Sequence, residues 1–183
     1  MRHTHLDEHK FVSGQPETGA DRADDLERIA MNFGPENIAA CIVEPMAGST
    51  GTLVGRKGYL QKVREACDKH GILLIFDEVI TGWGRTGSSF ASIEYGVTPD
   101  IMTMAKATTN GVVPMGVVAC KDEIYDSVMD ASPMGSVELF HGYTYSGIPV
   151  AVAAALAVQD IFEKEDIFNR AKDLAPYFQK GLF

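Results

Sequence analysis

Cysteine is scarce in this chain, with three residues among 183. Cys41, Cys67 and Cys120 are odd in number, far apart and set in apolar segments. That spacing argues against a disulfide framework and predicts buried free thiols in a reducing compartment. Basic residues are also in short supply: 16 Lys and Arg stand against 25 Asp and Glu, a net charge of −9. Such a balance disfavours nucleic acid or an anionic membrane surface as the main partner. Every apolar run falls short of the roughly 20 residues a membrane span requires, and no signal-peptide pattern is legible. The cytosol is the expected compartment. Internal repeats and low-complexity tracts are missing as well. What is present is globular, 45% hydrophobic and 22% charged, and long enough for one domain with a real core.

The opening MRHTHLDEHKFVSGQPETGADR is polar and unperiodic and reads as loop. A helical pattern starts at Asp24 and stops near Gly34. AACIVEP is a short run suited to a strand buried on both faces. The spacing then predicts a helix from Arg56 to His70, with Tyr59, Leu60, Val63 and Cys67 on one face and Gly71 as its C-cap. ILLIF, IMTMA and GVVAC are three further strands. Asp122 to Met129 reads as a short helix, and Pro149 can start an alanine-rich helix that runs to Lys164. A last amphipathic helix begins near Asp166 and is expected to bend at Pro176. Strands alternating with helices imply an α/β unit with a mostly parallel sheet.

Three ionisable residues close strand-like runs. Lys106 is the only charged residue between Asp100 and Lys121. Asp77 closes GILLIF, and Glu44 closes AACIV. Ligands of parallel sheets bind outside the carboxyl ends of the strands, so these three residues suggest one shared site. A lysine becomes a nucleophile toward carbonyls when its surroundings lower its pKa from about 10.4. Taken singly, Lys106 also fits a surface lysine, and Asp77 a helix cap or a core acceptor. Together they match what pyridoxal phosphate requires, a Schiff-base lysine and an aspartate for the pyridinium nitrogen.

LLIFDEVITGWGRTG followed by PDIMTMAKATTNGVVPMG resembles the class III aminotransferases, which use pyridoxal phosphate on fold type I. EPMAGSTG upstream and FHGYTYSGIPVAVAAALA downstream fit the same family in order and spacing. The resemblance covers nearly the whole chain and is nearest to the branch that transfers from β-alanine or another omega-amino acid to pyruvate. It implies that Lys106 bonds the cofactor aldehyde and that Asp77 keeps the ring nitrogen protonated. Val79 would pack on the ring face. Thr144 would reach the cofactor phosphate of a neighbouring subunit, in a homodimer or larger assembly. Glu44 would lie near the substrate, one layer out from the reacting atoms. Trp83 and Arg85 are candidates for the substrate pocket, and Ser49 stands where many relatives carry a second glutamate. An amine donor and a keto acid acceptor are the implied partners. The resemblance further implies that residues 1–183 form a partial large domain, its last helix leading toward the small domain. The phosphate-cupping turn, the ring-stacking aromatic and the rest of the small domain would lie outside it. The four strands would be contiguous in the family's sheet, GVVAC antiparallel at its end. A non-catalytic scaffold and an aminomutase on the same fold stay open as alternatives.

Other patterns carry less. Gly82, Gly84 and Gly87 spell G-x-G-x-x-G after a strand, but no helix opens at once and the following acids come too early for a dinucleotide fingerprint. His3, His5 and His9 lack accompanying thiolates and read as a solvated cluster, with no metal expected. Arg56, Lys57, Lys62 and Arg64 read as a solvated helix face.

Overall fold

The structure is a computed structural model that describes residues 1–6, 8, 13–134, 139 and 141–182. His9 lies outside the described residues. The described elements include helix α1 (Asp24–Phe33), strand β1 (Ala40–Val43) and a small hairpin of β2 (Met46–Ala47) and β3 (Leu53–Val54). Helix α2 (Tyr59–His70), strand β4 (Leu73–Asp77), a single turn of helix α3 (Ala91–Glu94) and strand β5 (Ile101–Met104) follow. Strand β6 (Val117–Cys120) and helices α4 (Asp122–Asp130), α5 (Pro149–Lys164) and α6 (Ile167–Leu182) complete the chain. Helix α6 continues through Pro176.

The main sheet has the order β1-β4-β5-β6, with the first three strands parallel and β6 antiparallel. This is the contiguous order that the family resemblance implies. Gly71 ends α2 in the left-handed conformation, φ 66°, its N–H bonded to the Cys67 carbonyl. Glycine takes that cap without the Cβ clash any other residue would meet.

Alternation along β4 sets the two faces of the sheet. Leu74 and Phe76 are fully buried and join Leu26, Ala30, Cys41, Leu60, Val63 and Cys67 in the core beneath α1 and α2. Leu73, Ile75 and Asp77 point to the opposite face and are half-buried. Parallel register puts Ile42 beside Ile75, and Thr103 beside Asp77, on that same face. There Ile42 is 60% and Val118 69% exposed. Strand β1 is therefore buried on one face only, against the expectation from its composition. Its apolar run is continuous, and only packing decides which half is covered.

Three further expectations are corrected. Cys41 and Cys67 are buried free thiols, but Cys120 is exposed at the end of the edge strand β6. Arg56 does not lie on a solvated helix face. Gly58, at φ 79°, delays α2 to Tyr59 and leaves Arg56 turned inward, 1% exposed. Its guanidinium donates to the Thr4 carbonyl at 2.8 and 2.6 Å and to the Thr18 carbonyl at 2.9 Å. Arg64 likewise turns to buried Asp100, at 2.8 Å, and to Asp68, at 2.7 Å. The opening loop is anchored as well, because Arg2 pairs with buried Asp25 at 2.8 Å. His3 is exposed, while His5 is half-buried; both line a cleft with Glu44. Among the described residues no helix is long and apolar enough to cross a membrane.

Candidate active site

Because β1, β4 and β5 are parallel, their carboxyl ends leave the sheet on one edge, and three of the singled-out residues sit there. Asp77 is the last residue of β4 and stands opposite Thr103 of β5. Its Oδ1 accepts the Val79 N–H at 3.0 Å. A short side chain bonding the backbone two positions on makes a tight turn that fixes the carboxylate. Glu44 follows β1, whose last residue Val43 pairs with Phe76. Its Oε2 accepts the Gly48 N–H at 2.8 Å, curling the 44–48 segment over the strand end. A Cβ on Gly48 would come within 2.5 Å of Ile80, so glycine lets this segment close against the loop after Asp77.

Lys106 opens a 3-10 turn, Lys106–Thr108, two residues beyond the end of β5. Its φ is 40°, left-handed for a residue with a Cβ. Strained backbone of this kind persists only where its surroundings hold it, and it clusters at functional sites. Behind the turn, Ala107, Thr108 and Thr109 are buried, while Lys106 itself is exposed. Among the described residues its ammonium makes no hydrogen bond or ion pair. The structure thus brings together an unpaired amine and a carboxylate fixed by its own turn, on neighbouring strand ends.

The other candidates are placed differently. Val79 is half-buried in the turn after Asp77. Trp83 sends its indole N–H to Thr108 Oγ1 at 2.9 Å and packs against Phe90 and Phe162, with ring centroids 4.9 and 6.3 Å away. Arg85 is exposed and has no hydrogen bond or ion pair among the described residues. Thr144 sits on an exposed turn closed by the Ser146 N–H to Tyr143 carbonyl bond, and no hydrogen bond joins it to Asp77 or Lys106.

The glycines of the G-x-G-x-x-G pattern form a loop folded back on itself. Trp83 N–H donates to the Ser89 carbonyl at 2.6 Å, and Gly87 N–H to the Gly84 carbonyl at 2.9 Å. Gly84 and Gly87 both have φ near 89°, and a Cβ on either would strike Phe168 or Lys172 of α6, at 2.5 and 2.7 Å. Helix packing, rather than a pyrophosphate, accounts for these glycines.

Sequence reasoning missed Glu78, which is 0% exposed. It accepts the Thr81 hydroxyl at 2.8 Å and the Ala91 and Ser92 N–H groups at 2.8 and 2.7 Å. It therefore caps α3 and closes the loop that carries Trp83. No local pattern distinguishes it from a solvated acid, since its partners lie 13 and 14 residues away. Among the described residues no group of three or more His, Cys, Asp or Glu is placed to hold a metal.

An amine and a fixed carboxylate at the carboxyl edge of a parallel sheet are the residues a pyridoxal cofactor needs. The model of the class-III aminotransferases matches residues 4–183. The chain belongs to that family. It is 54% identical to an omega-aminotransferase of Caulobacter vibrioides, over 100% of this chain and 42% of that protein. It is 51% identical to a beta-alanine–pyruvate aminotransferase of Pseudomonas aeruginosa, over 94% of this chain and 39% of the other. Among solved structures it resembles an (S)-enantioselective omega-transaminase from Thermomicrobium roseum. The TM-score is 0.83 at 41% identity, over 93% of this chain and 38% of that one. The chain thus spans about two fifths of the length of the curated relatives it matches.

Proposed function

We propose that this class-III aminotransferase chain carries the catalytic segment of an enzyme that moves an amino group from a β-alanine-like omega-amino acid or amine to pyruvate. The observation that carries the reading is the pairing of Asp77 and Lys106 on adjacent strand ends, with the Lys106 ammonium free among the described residues. The names of the two relatives supply the substrate class.

The residues fit pyridoxal phosphate by the chemistry of their donors. Lys106 offers an amine able to capture its aldehyde. Asp77 has one oxygen committed to Val79 N–H, which leaves the other for the ring nitrogen. Val79 offers an apolar side chain for the ring face. When bound, that cofactor supplies an electron sink for charge developing on the substrate carbon.

Lys106 would take and return the proton at its Nζ, a positioned transfer typically worth roughly 10²–10⁴-fold. Asp77 performs no proton transfer; its negative charge holds the ring nitrogen protonated. Glu44, tied to Gly48 N–H, lies at the same edge and borders the substrate. Thr144, on its exposed turn, serves the phosphate of a second copy, which makes the working unit at least a dimer. Residues 1–183 form part of the large domain, with α6 leading toward the small one. The cytosol supplies both amine and keto acid.

Loading the full-length protein with pyridoxal phosphate, reducing with borohydride and mapping peptides tests the assignment. The label is expected on Lys106. A label spread over surface lysines overturns it.

A further inference from the structure

Lys106 is held at φ 40° although, among the described residues, nothing bonds its side chain. Its aim is therefore set by the backbone of the short turn that carries it. That turn is pinned at both ends by one residue. The Thr108 N–H and the Thr108 hydroxyl both donate to the Ala105 carbonyl, each at 2.9 Å. Only Lys106 and Ala107 lie between the two residues so joined, and Ala107 is packed against Val158 and Phe162 of α5.

The hydroxyl of Thr108 has a second partner. An indole N–H can only donate, so the 2.9 Å contact with Trp83 Nε1 runs from Trp83 to Thr108 Oγ1. The direction of the chain is then settled: indole N–H to hydroxyl, hydroxyl to Ala105 carbonyl. Linked bonds of this sort polarise one another and are strengthened in a buried setting. Thr108 is 3% exposed.

Trp83 is itself immobilised. Its backbone lies at φ 61°, its N–H is tied to Ser89, and its ring is held between Phe90 and Phe162. The loop around it seats on α6 through Gly84 and Gly87. A rigid donor thus reaches the back of the turn whose front carries the amine.

We propose that Trp83 is a positioning residue for Lys106, acting through Thr108; this rests on the reading of Lys106 as the cofactor lysine. Without the indole N–H, Thr108 loses its outside anchor. The turn can then relax from its left-handed strain and carry the amine away from Asp77.

The test compares Trp83→Phe, which keeps a ring but no N–H, with Thr108→Val, Thr108→Ser and the Trp83→Phe/Thr108→Val double variant. The rate at which pyridoxal phosphate with borohydride labels Lys106 is followed by peptide mass, beside the melting temperature of each protein. Loss of one buried hydrogen bond predicts labelling about five- to tenfold slower in Trp83→Phe, and Thr108→Val, which also loses the hydroxyl bond to the Ala105 carbonyl, should be at least as slow. The double variant should be no slower than Thr108→Val, in which the Trp83–Thr108 bond is already gone. Thr108→Ser should label like the parent. Parental rates in Thr108→Val, or losses that multiply in the double variant, overturn the proposal. Should Trp83→Phe melt early, all rates are compared at a temperature where it stays folded. A parent that labels no Lys106 overturns the functional reading along with the proposal. A parent that labels it normally while folded Trp83→Phe does the same overturns the positioning role only.

Discussion

Asp77 stands opposite Thr103 in the parallel β4–β5 ladder, so the carboxylate and the turn bearing Lys106 leave the sheet at one edge, one strand apart. Adjacent strands are about 4.8 Å apart, a separation that a planar aromatic ring can bridge between amine and carboxylate. Register alone places the two groups, before any side chain chooses a rotamer.

On the proposed reading, the charge of Asp77, rather than its shape, is the property the site would use. Asp77→Asn retains the Val79 turn through its amide oxygen but cannot hold a ring nitrogen protonated. In the full-length protein, turnover should fall by at least about 10²-fold, while borohydride labelling of Lys106 persists. Near-parental turnover would count against the pyridinium role.

Asp100 contributes stability that should be lost in acid. It is buried between Arg64 at 2.8 Å, Lys121 at 2.7 Å and the Leu74 N–H at 2.7 Å, tying α2 to β4 and to the end of β6. Burial alone would raise its pKa, but the bonds from Lys121, Leu74 and Arg64 outweigh it and hold the carboxyl below its ordinary value. A carboxyl depressed on folding contributes stability that is complete above its unfolded pKa of about 3.9. That stability disappears as pH falls through the folded value. Asp100→Asn should lower stability at pH 7 by about 2 kcal/mol and flatten the decline below pH 4. Urea midpoints measured from pH 7 downward check both, and an unchanged acid slope would refute the assignment.

Arg56 staples the opening residues to the core. Arg56→Met keeps much of the volume yet removes the guanidinium bonds to the Thr4 and Thr18 carbonyls. Stability should drop by about 2 kcal/mol, and limited proteolysis should cut ahead of Asp24 where the parent resists. Equal resistance in parent and variant would return Arg56 to a passive role.

Among the described residues both edge strands of the sheet are open, and Ile42 and Val118 lie bare on the face that carries Asp77. Exposed apolar edges template association. The 183-residue chain by itself should therefore run as oligomers or aggregates in light scattering, with Val118→Lys shifting it toward smaller species. Monodisperse monomer from the unaltered chain would contradict this.

Periodicity and punctuation made most elements legible: Gly71 at a helix end, Pro149 at a helix start, and apolar runs of strand length with an ionisable residue at or just beyond the end. The three residues at the sheet edge could be found because each interrupts an apolar stretch, a contrast visible within a few neighbours. Arg56, Glu78 and Asp100 offered no such contrast. Each is an ordinary charged residue locally, and each is buried because of groups 13 to 52 positions away. Trp83 was legible as a notable residue but not as the donor to Thr108, for the same reason. The sequence by itself determined which segments become strands and helices and which side chains bring an amine and a carboxylate to their ends. Only the tertiary structure decided which face of β1 is covered, which charges are buried and what stands behind Lys106. Those outcomes depend on desolvation and on bonds between distant segments, and no local pattern records either.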